Sequence, residues 1–240
     1  MSPSIEAYVA QQPELAWRRT MMRRFIRVVG FGALWQMDIT GRENIPDTGP
    51  AIIMMNHISM IDPVLCMGAI LNRFVIPMTK VENMKNPVIG PLVRWWGAYS
   101  VDRDAVDRKA LINSIELVKS GQLILIAPEG HRQKDGLTQP KDGLSYVATK
   151  ADAVIIPTGI AGAQDWADRL KRAQRPAVRL HFGRPFRFRT EGRSRIPREE
   201  LALMSQEAMY QLASAVQDEA LRGVYHDLSQ ATTDTLEFVG

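Results

Sequence analysis

Short unbroken apolar runs alternate along the chain with stretches whose apolar residues recur every three or four positions. The runs at 51–55 (AIIMM), 122–127 (QLILIA) and 153–157 (AVIIP) read as strands buried on both faces. Weaker strand signals stand at 73–77, 99–101 and 177–182. Between them, residues 63–71, 108–119 and 143–150 have helical spacing. Asp62 and Pro63 open the first of these helices, and Gly121 lies just beyond the second. A long helix is expected from Pro197, with Glu199 and Glu200 in its first turn, to about His226. Residues 229–240 are polar and read as a loose tail. Alternating strands and helices predict an α/β fold, a single domain with a mostly parallel central sheet flanked by helices. Its expected span is 38–228, preceded by a separate helical segment at 1–37.

That first segment is patterned differently. At about 100° per residue, Trp17, Met21, Met22, Phe25, Ile26, Val28 and Val29 share one broad arc, with Arg18 beside them. Arg19, Arg23, Arg24 and Arg27 fall on the opposite arc. A basic amphipathic helix carrying Trp and Phe suits a membrane interface, its arginines turned to anionic lipid. The same pattern fits a surface helix packed on the domain. Residues 1–14 lack the basic start and apolar core of a secretion signal. The longest nearly uncharged apolar stretch, 28–37, falls short of the roughly 20 residues of a transmembrane span.

Composition narrows the class without naming a chemistry. With 45% hydrophobic and 23% charged residues in 240, the chain is an ordinary globular protein. One cysteine, Cys66, excludes an internal disulfide. Thirty Lys and Arg against 26 Asp and Glu leave a net charge of +4, too mild a surplus to indicate nucleic acid.

Candidate chemistry gathers where strands end. Asn56-His-Ile-Ser-Met-Ile-Asp62 follows the first buried run. On a helix, residues five apart diverge by about 140°, so His57 and Asp62 meet only if the chain turns between them. A carboxylate on one imidazole nitrogen fixes the tautomer and leaves the other as a general base. Taken alone, the spacing is better read as a capping Asp62 beside a buried, satisfied His57. Pro128-Glu-Gly-His-Arg132 ends the QLILIA strand: Gly130 permits a tight turn, Arg132 offers a fork to phosphate, and Glu129 is placed to hold that arginine. Arg103 and Lys80 stand at two further strand ends, so three cations converge on an anionic ligand. There is no phosphate-binding glycine loop and no Gly-x-Ser-x-Gly elbow. His57, Asp62, Glu129 and His131 lack metal-ligand helix spacing, so no metal is expected.

Taken in order, these blocks resemble the glycerolipid acyltransferase family, of the 1-acylglycerol-3-phosphate acyltransferase type. The resemblance rests on Asn56-His57 to Asp62; Lys80-x-Glu82 through Pro87, Gly97 and Arg103; Pro128-Glu129-Gly130-x-Arg132; and Ile155-Ile-Pro157. Lys141-Asp-Gly143 and Phe182-Gly-x-Pro185 extend it over residues 38–215. It implies transfer of a fatty acyl group from acyl-CoA or acyl carrier protein to the hydroxyl of lysophosphatidic acid, with no further cofactor. His57 would be the base and Asp62 its orienting partner. Lys80, Arg103 and Arg132 would grip phosphate in a site shaped by Glu129 and Gly130, with Asn56, Ser59 and Pro157 lining the pocket. The enzyme would sit on the cytoplasmic face of a membrane, peripheral or monotopic. His131 and Gln133 stand where the family has small residues, so another lysolipid or an amino-acid lipid is an alternative acceptor. A non-catalytic lipid-binding module and a metal-dependent hydrolase are the alternatives from other classes.

Overall fold

The computed structural model of the protein describes residues 5–101 and 108–239. Its center is a nine-stranded sheet among the described residues. The strands are β1 (Gln36–Thr40), β2 (Ala51–Met55), β3 (Val75–Lys80), β4 (Tyr99–Val101), β5 (Leu123–Ile126), β6 (Val154–Ala161), β7 (Ala177–Phe182), β8 (Phe186–Phe188) and β9 (Leu236–Phe238). The main order is β1-β7-β6-β2-β5-β3-β4. From β6 across to β4 every pairing is parallel, whereas β7 meets β6 antiparallel and carries β1 at the edge. The central strands β2, β5 and β6 are buried along their whole length, as their unbroken apolar runs predict. The mostly parallel α/β sheet therefore stands as expected.

Helices α1 (Ile5–Ala10), α2 (Gln12–Phe25), α3 (Asp62–Ala69), α4 (Val81–Lys85), α5 (Ile89–Trp96), α6 (Arg108–Lys119), α7 (Gly143–Ala151), α8 (Trp166–Lys171) and α9 (Arg198–Ala215) connect and flank the strands. Three boundaries depart from the sequence reading. The helical segment expected over 1–37 widens after Phe25 into a π-helix, Ile26–Leu34, and Gln36 and Met37 already belong to β1. The helix expected to reach His226 stops at Ala215; a separate 3-10 segment, Glu219–Tyr225, follows and is kinked at Gly223. The tail is not loose: β9 pairs with β8, and buried Glu207 of α9 holds residues 232–235. Its Oε1 accepts from the Thr232 hydroxyl and Asp234 N–H, and its Oε2 from the N–H of Thr235.

The largest reversal concerns α2. Arg19, Arg23 and, just beyond the helix, Arg27 turn toward the body of the protein, while Arg24 stays exposed. Arg19 is only 2% exposed and donates to the Trp96 carbonyl and to Gln12 Oε1, both at 2.7 Å. Arg23 donates to the carbonyls of Ile70, Leu71 and Arg73, and stacks 4.5 Å over the Phe74 ring. Arg27 donates to the carbonyl of Gly68. Arg23 and Arg27 thus serve carbonyls at and just beyond the C-terminus of α3, groups that a helix leaves unsatisfied. Of the apolar arc, Ile26 is buried and Met22 packs on the core, while Trp17, Met21, Phe25 and Val28 face outward. No helix among the described residues is long and apolar enough to cross a membrane.

Candidate active site

The parallel strands β2, β5, β3 and β4 end on one edge of the sheet, and the residues that follow them build the site. After β2, the turn at 56–61 folds His57 back onto Asp62. The imidazole Nδ1 lies 2.9 Å from Asp62 Oδ2, so the required turn is present. The same oxygen accepts the backbone N–H of Ile58 at 2.8 Å and of Ser59 at 2.7 Å. With two amides already donating, Oδ2 acts as an acceptor, and the third contact is Nδ1–H donating to it. Nε2 is thereby left as the free lone pair. The His57 side chain retains 13% of its surface, whereas Asp62 is sealed off. Burial pushes the Asp62 carboxyl above the ordinary carboxylate range, while the His57 ring and the two amides pull against it. Asp62 caps the preceding turn and not its own helix, in contrast to the capping alternative.

Two neighbors expected in the pocket are engaged elsewhere. Asn56 is buried and exchanges hydrogen bonds with Ile160 of β6, donating to its carbonyl at 2.8 Å and accepting its N–H at 2.7 Å. Its amide thus ties the end of β2 to β6 beside the His57 turn. Pro157 is buried within β6, and its carbonyl accepts from Gly183. Ser59 is buried in the His57 turn and contributes its backbone to Asp62.

After β5, Gly130 adopts φ +78°, the left-handed turn that glycine favors. Glu129 does not hold Arg132, contrary to expectation. It is 2% exposed, and its Oε1 accepts both the N–H of Thr138 at 2.8 Å and the Thr138 hydroxyl at 3.2 Å. Burial raises its pKa; Thr138 and the backbone N–H of His57 offset this in part, and Oε2 completes no hydrogen bond among the described residues. The two Thr138 donors hold the carboxylate inward against the cost of burial, so it braces the turn. Arg132 points outward, exposed and without a partner among the described residues. His131 has its Nδ1 3.1 Å from the Glu129 carbonyl and its Nε2 2.6 Å from the Gln133 amide nitrogen. Gln133 in turn donates its backbone N–H to the His57 carbonyl at 2.7 Å, locking the β5 loop to the β2 turn.

Lys80 is exposed at the end of β3. Arg103 lies outside the described residues. The sequence reading assigned no role to Lys141, whose N–H donates to the Pro128 carbonyl at 2.9 Å. Its side chain arches over Gly130, with Nζ 3.2 Å from where a Cβ there would stand. The Lys141-Asp-Gly143 block was the available signal, but nothing in its spacing showed that this lysine returns to the turn. Cys66, one turn after Asp62 in α3, is fully buried and its thiol pKa is pushed up, which makes it core. Among the described residues no three His, Cys, Asp or Glu side chains gather as a metal site.

A profile of the acyltransferase family matches residues 36–161, just over half of the chain. Over 140 residues the chain is 31% identical to the 1-acyl-sn-glycerol-3-phosphate acyltransferase of Borreliella burgdorferi, covering 57% of this chain and 56% of that protein. It is 24% identical over 147 residues to the protein of the same name from Bacillus subtilis, covering 61% and 72% respectively. The chain thus spans little more than half of the first relative. The crystal structure of the 1-acyl-sn-glycerophosphate acyltransferase from Thermotoga maritima superposes with a TM-score of 0.58. That match has 22% identity over 91% of this chain and 80% of the other, a likeness of fold.

Proposed function

Because this chain belongs to the acyltransferase family, we propose that it moves a fatty acyl group from a thioester to the free hydroxyl of lysophosphatidic acid, giving phosphatidic acid. The observation that carries this reading is the His57–Asp62 pair, with Nδ1 committed to a buried carboxylate and Nε2 free at the rim of the sheet. Nε2 takes the proton of the acceptor hydroxyl as its oxygen attacks the thioester carbonyl. The tetrahedral intermediate collapses with loss of the thiolate, which recovers that proton from His57. Asp62 keeps the ring in the productive tautomer and stabilizes the imidazolium while it lasts. The acyl donor is acyl-CoA or an acyl carrier protein.

Arg132, Lys80 and Lys141 supply the positive edge for the acceptor phosphate, Arg132 with the fork geometry suited to it. Glu129 and Gly130 set the turn that carries Arg132. His131 and Gln133 lie against each other beside that turn, which favors testing other anionic lysolipids as second acceptors.

The acceptor is a membrane lipid, and the outward face of α2 and α5 suits a lipid surface. Trp17 at 57% exposure, Phe25 at 65% and Met21 are exposed on α2 and Leu92 and Trp95 on α5, with Val28 at 66% and Val88 at 73% exposed just beyond the ends of the two helices. Trp17 and Trp95 meet edge to face at 6.4 Å and join the two helices into one platform. The contact is chiefly apolar, since Arg19, Arg23 and Arg27 are spent inward.

The test is thiol release and product formation from palmitoyl-CoA, with and without lysophosphatidic acid. Turnover that requires both the acceptor and His57 supports the proposal; turnover retained by a folded His57→Ala variant removes it. A non-catalytic lipid-binding module gives no release under any donor or acceptor.

A further inference from the structure

The family match ends at residue 161, yet a segment far beyond it grips the active-site loop. Leu137 donates its N–H to the Leu221 carbonyl at 3.1 Å and accepts the Val224 N–H at 3.0 Å. Two glycines make this crossing possible. Gly136 has φ +114° and Gly223 φ +53°, and a Cβ on Gly223 would stand 2.1 Å from the Leu137 carbonyl oxygen. Beside them the buried Tyr225 donates its hydroxyl to Gln206 at 2.8 Å, and Gln206 donates to Gln139 at 2.6 Å. The loop so held contains both residues that reach the candidate site: Thr138, on Glu129, and Gln133, on the His57 carbonyl.

We propose that the Glu219–Tyr225 segment is a positioning element of the active site, clasping Leu137 so that the 133–138 loop keeps Glu129 and the His57 backbone in register. The inference rests on the reading of His57 as the base. General bases are sensitive to displacement, a shift of about 1 Å costing on the order of a hundredfold in rate.

Gly223→Ala opens the clasp, and Glu207→Gln loosens the neighboring C-terminal segment without touching the loop. The clasp predicts that Gly223→Ala lowers kcat about tenfold or more. The KM for palmitoyl-CoA stays within about twofold, and the His57 Nδ1–H NMR resonance shifts. Glu207→Gln, compared at an equal or larger loss of Tm, keeps its kcat and its His57 resonance. Equal loss of kcat in the two variants at matched Tm would overturn the proposal. Should Gly223→Ala not fold, Tyr225→Phe is held to the same criteria with a smaller expected effect. Should the wild type transfer no acyl group, the functional reading fails, and the His57 resonance alone decides: a shift confined to the clasp variants supports the clasp, and its absence refutes it.

Discussion

At the scale of single residues, the candidate site is defined by which partner each polar group finds once it is buried. Asp62 and Glu129 are both sealed carboxylates, but Asp62 receives three N–H donors on one oxygen and faces the ring of His57. Asp62→Asn preserves the shape and removes the charge that favors the imidazolium. It should lower kcat by about a hundredfold or more with little change in KM, measured by steady-state thiol release. An unchanged kcat would leave Asp62 a purely structural group. Arg132→Ala and Lys141→Ala should instead raise KM for lysophosphatidic acid about tenfold each, with a smaller effect on an uncharged monoacylglycerol acceptor. Equal effects on both acceptors would show that these cations do not read the phosphate. The His57–Asp62 contact was legible only as one that a strand-to-helix turn would permit; the spacing alone pointed to a capping Asp62, and the ordered blocks of the family resemblance singled the pair out. The partner of Glu129 was not legible. Only Gly130 and His131 separate it from Arg132, but the Thr138 donors hold the carboxylate inward while the guanidinium stays in water.

At the scale of elements, the central strands were readable because burial on both faces removes polar residues from them altogether. Helix α2 was readable as a helix with two faces, but not in its orientation. Periodicity says which residues share a face; it does not say which face meets the protein. The open carbonyls at the end of α3 decide that, and they are contributed by a segment some 45 residues away. The end of α9 was misjudged for a related reason: beyond Ala215 the chain turns into the separate 3-10 segment Glu219–Tyr225, whose kink at Gly223 serves the loop crossing, a contact that periodicity does not show. The C-terminal segment carries its own prediction. Glu207 is buried, which by itself raises its pKa, but donors from Thr232, Asp234 and Thr235 outweigh this and hold it below the ordinary glutamate value. A carboxylate whose pKa is lower folded than unfolded contributes stability above its unfolded pKa and loses it as pH falls through the folded one. Glu207→Gln should therefore cost about 1.5–3 kcal/mol at neutral pH, and the gap in Tm to the wild type should narrow as the solution is taken below about pH 4. A gap that widens on acidification would contradict this.

At the scale of the whole molecule, the proposed function joins the sheet edge that carries His57 and Arg132 to the exposed apolar face of α2 and α5 as parts of one enzyme acting on an amphiphile. The platform predicts that Phe25→Glu reduces partitioning onto phosphatidylglycerol vesicles by about tenfold or more. Wild-type binding should fall only modestly between low and physiological salt, because the contact is apolar. Binding that collapses with salt while Phe25→Glu is silent would return the role to exposed cations such as Arg24. The most direct measurement is product formation from palmitoyl-CoA and lysophosphatidic acid by the wild type and by His57→Ala of matched Tm. The chemistry assigned to His57 predicts phosphatidic acid from the wild type alone, and only when the acceptor is present. Phosphatidic acid formed at the wild-type rate by His57→Ala would contradict it.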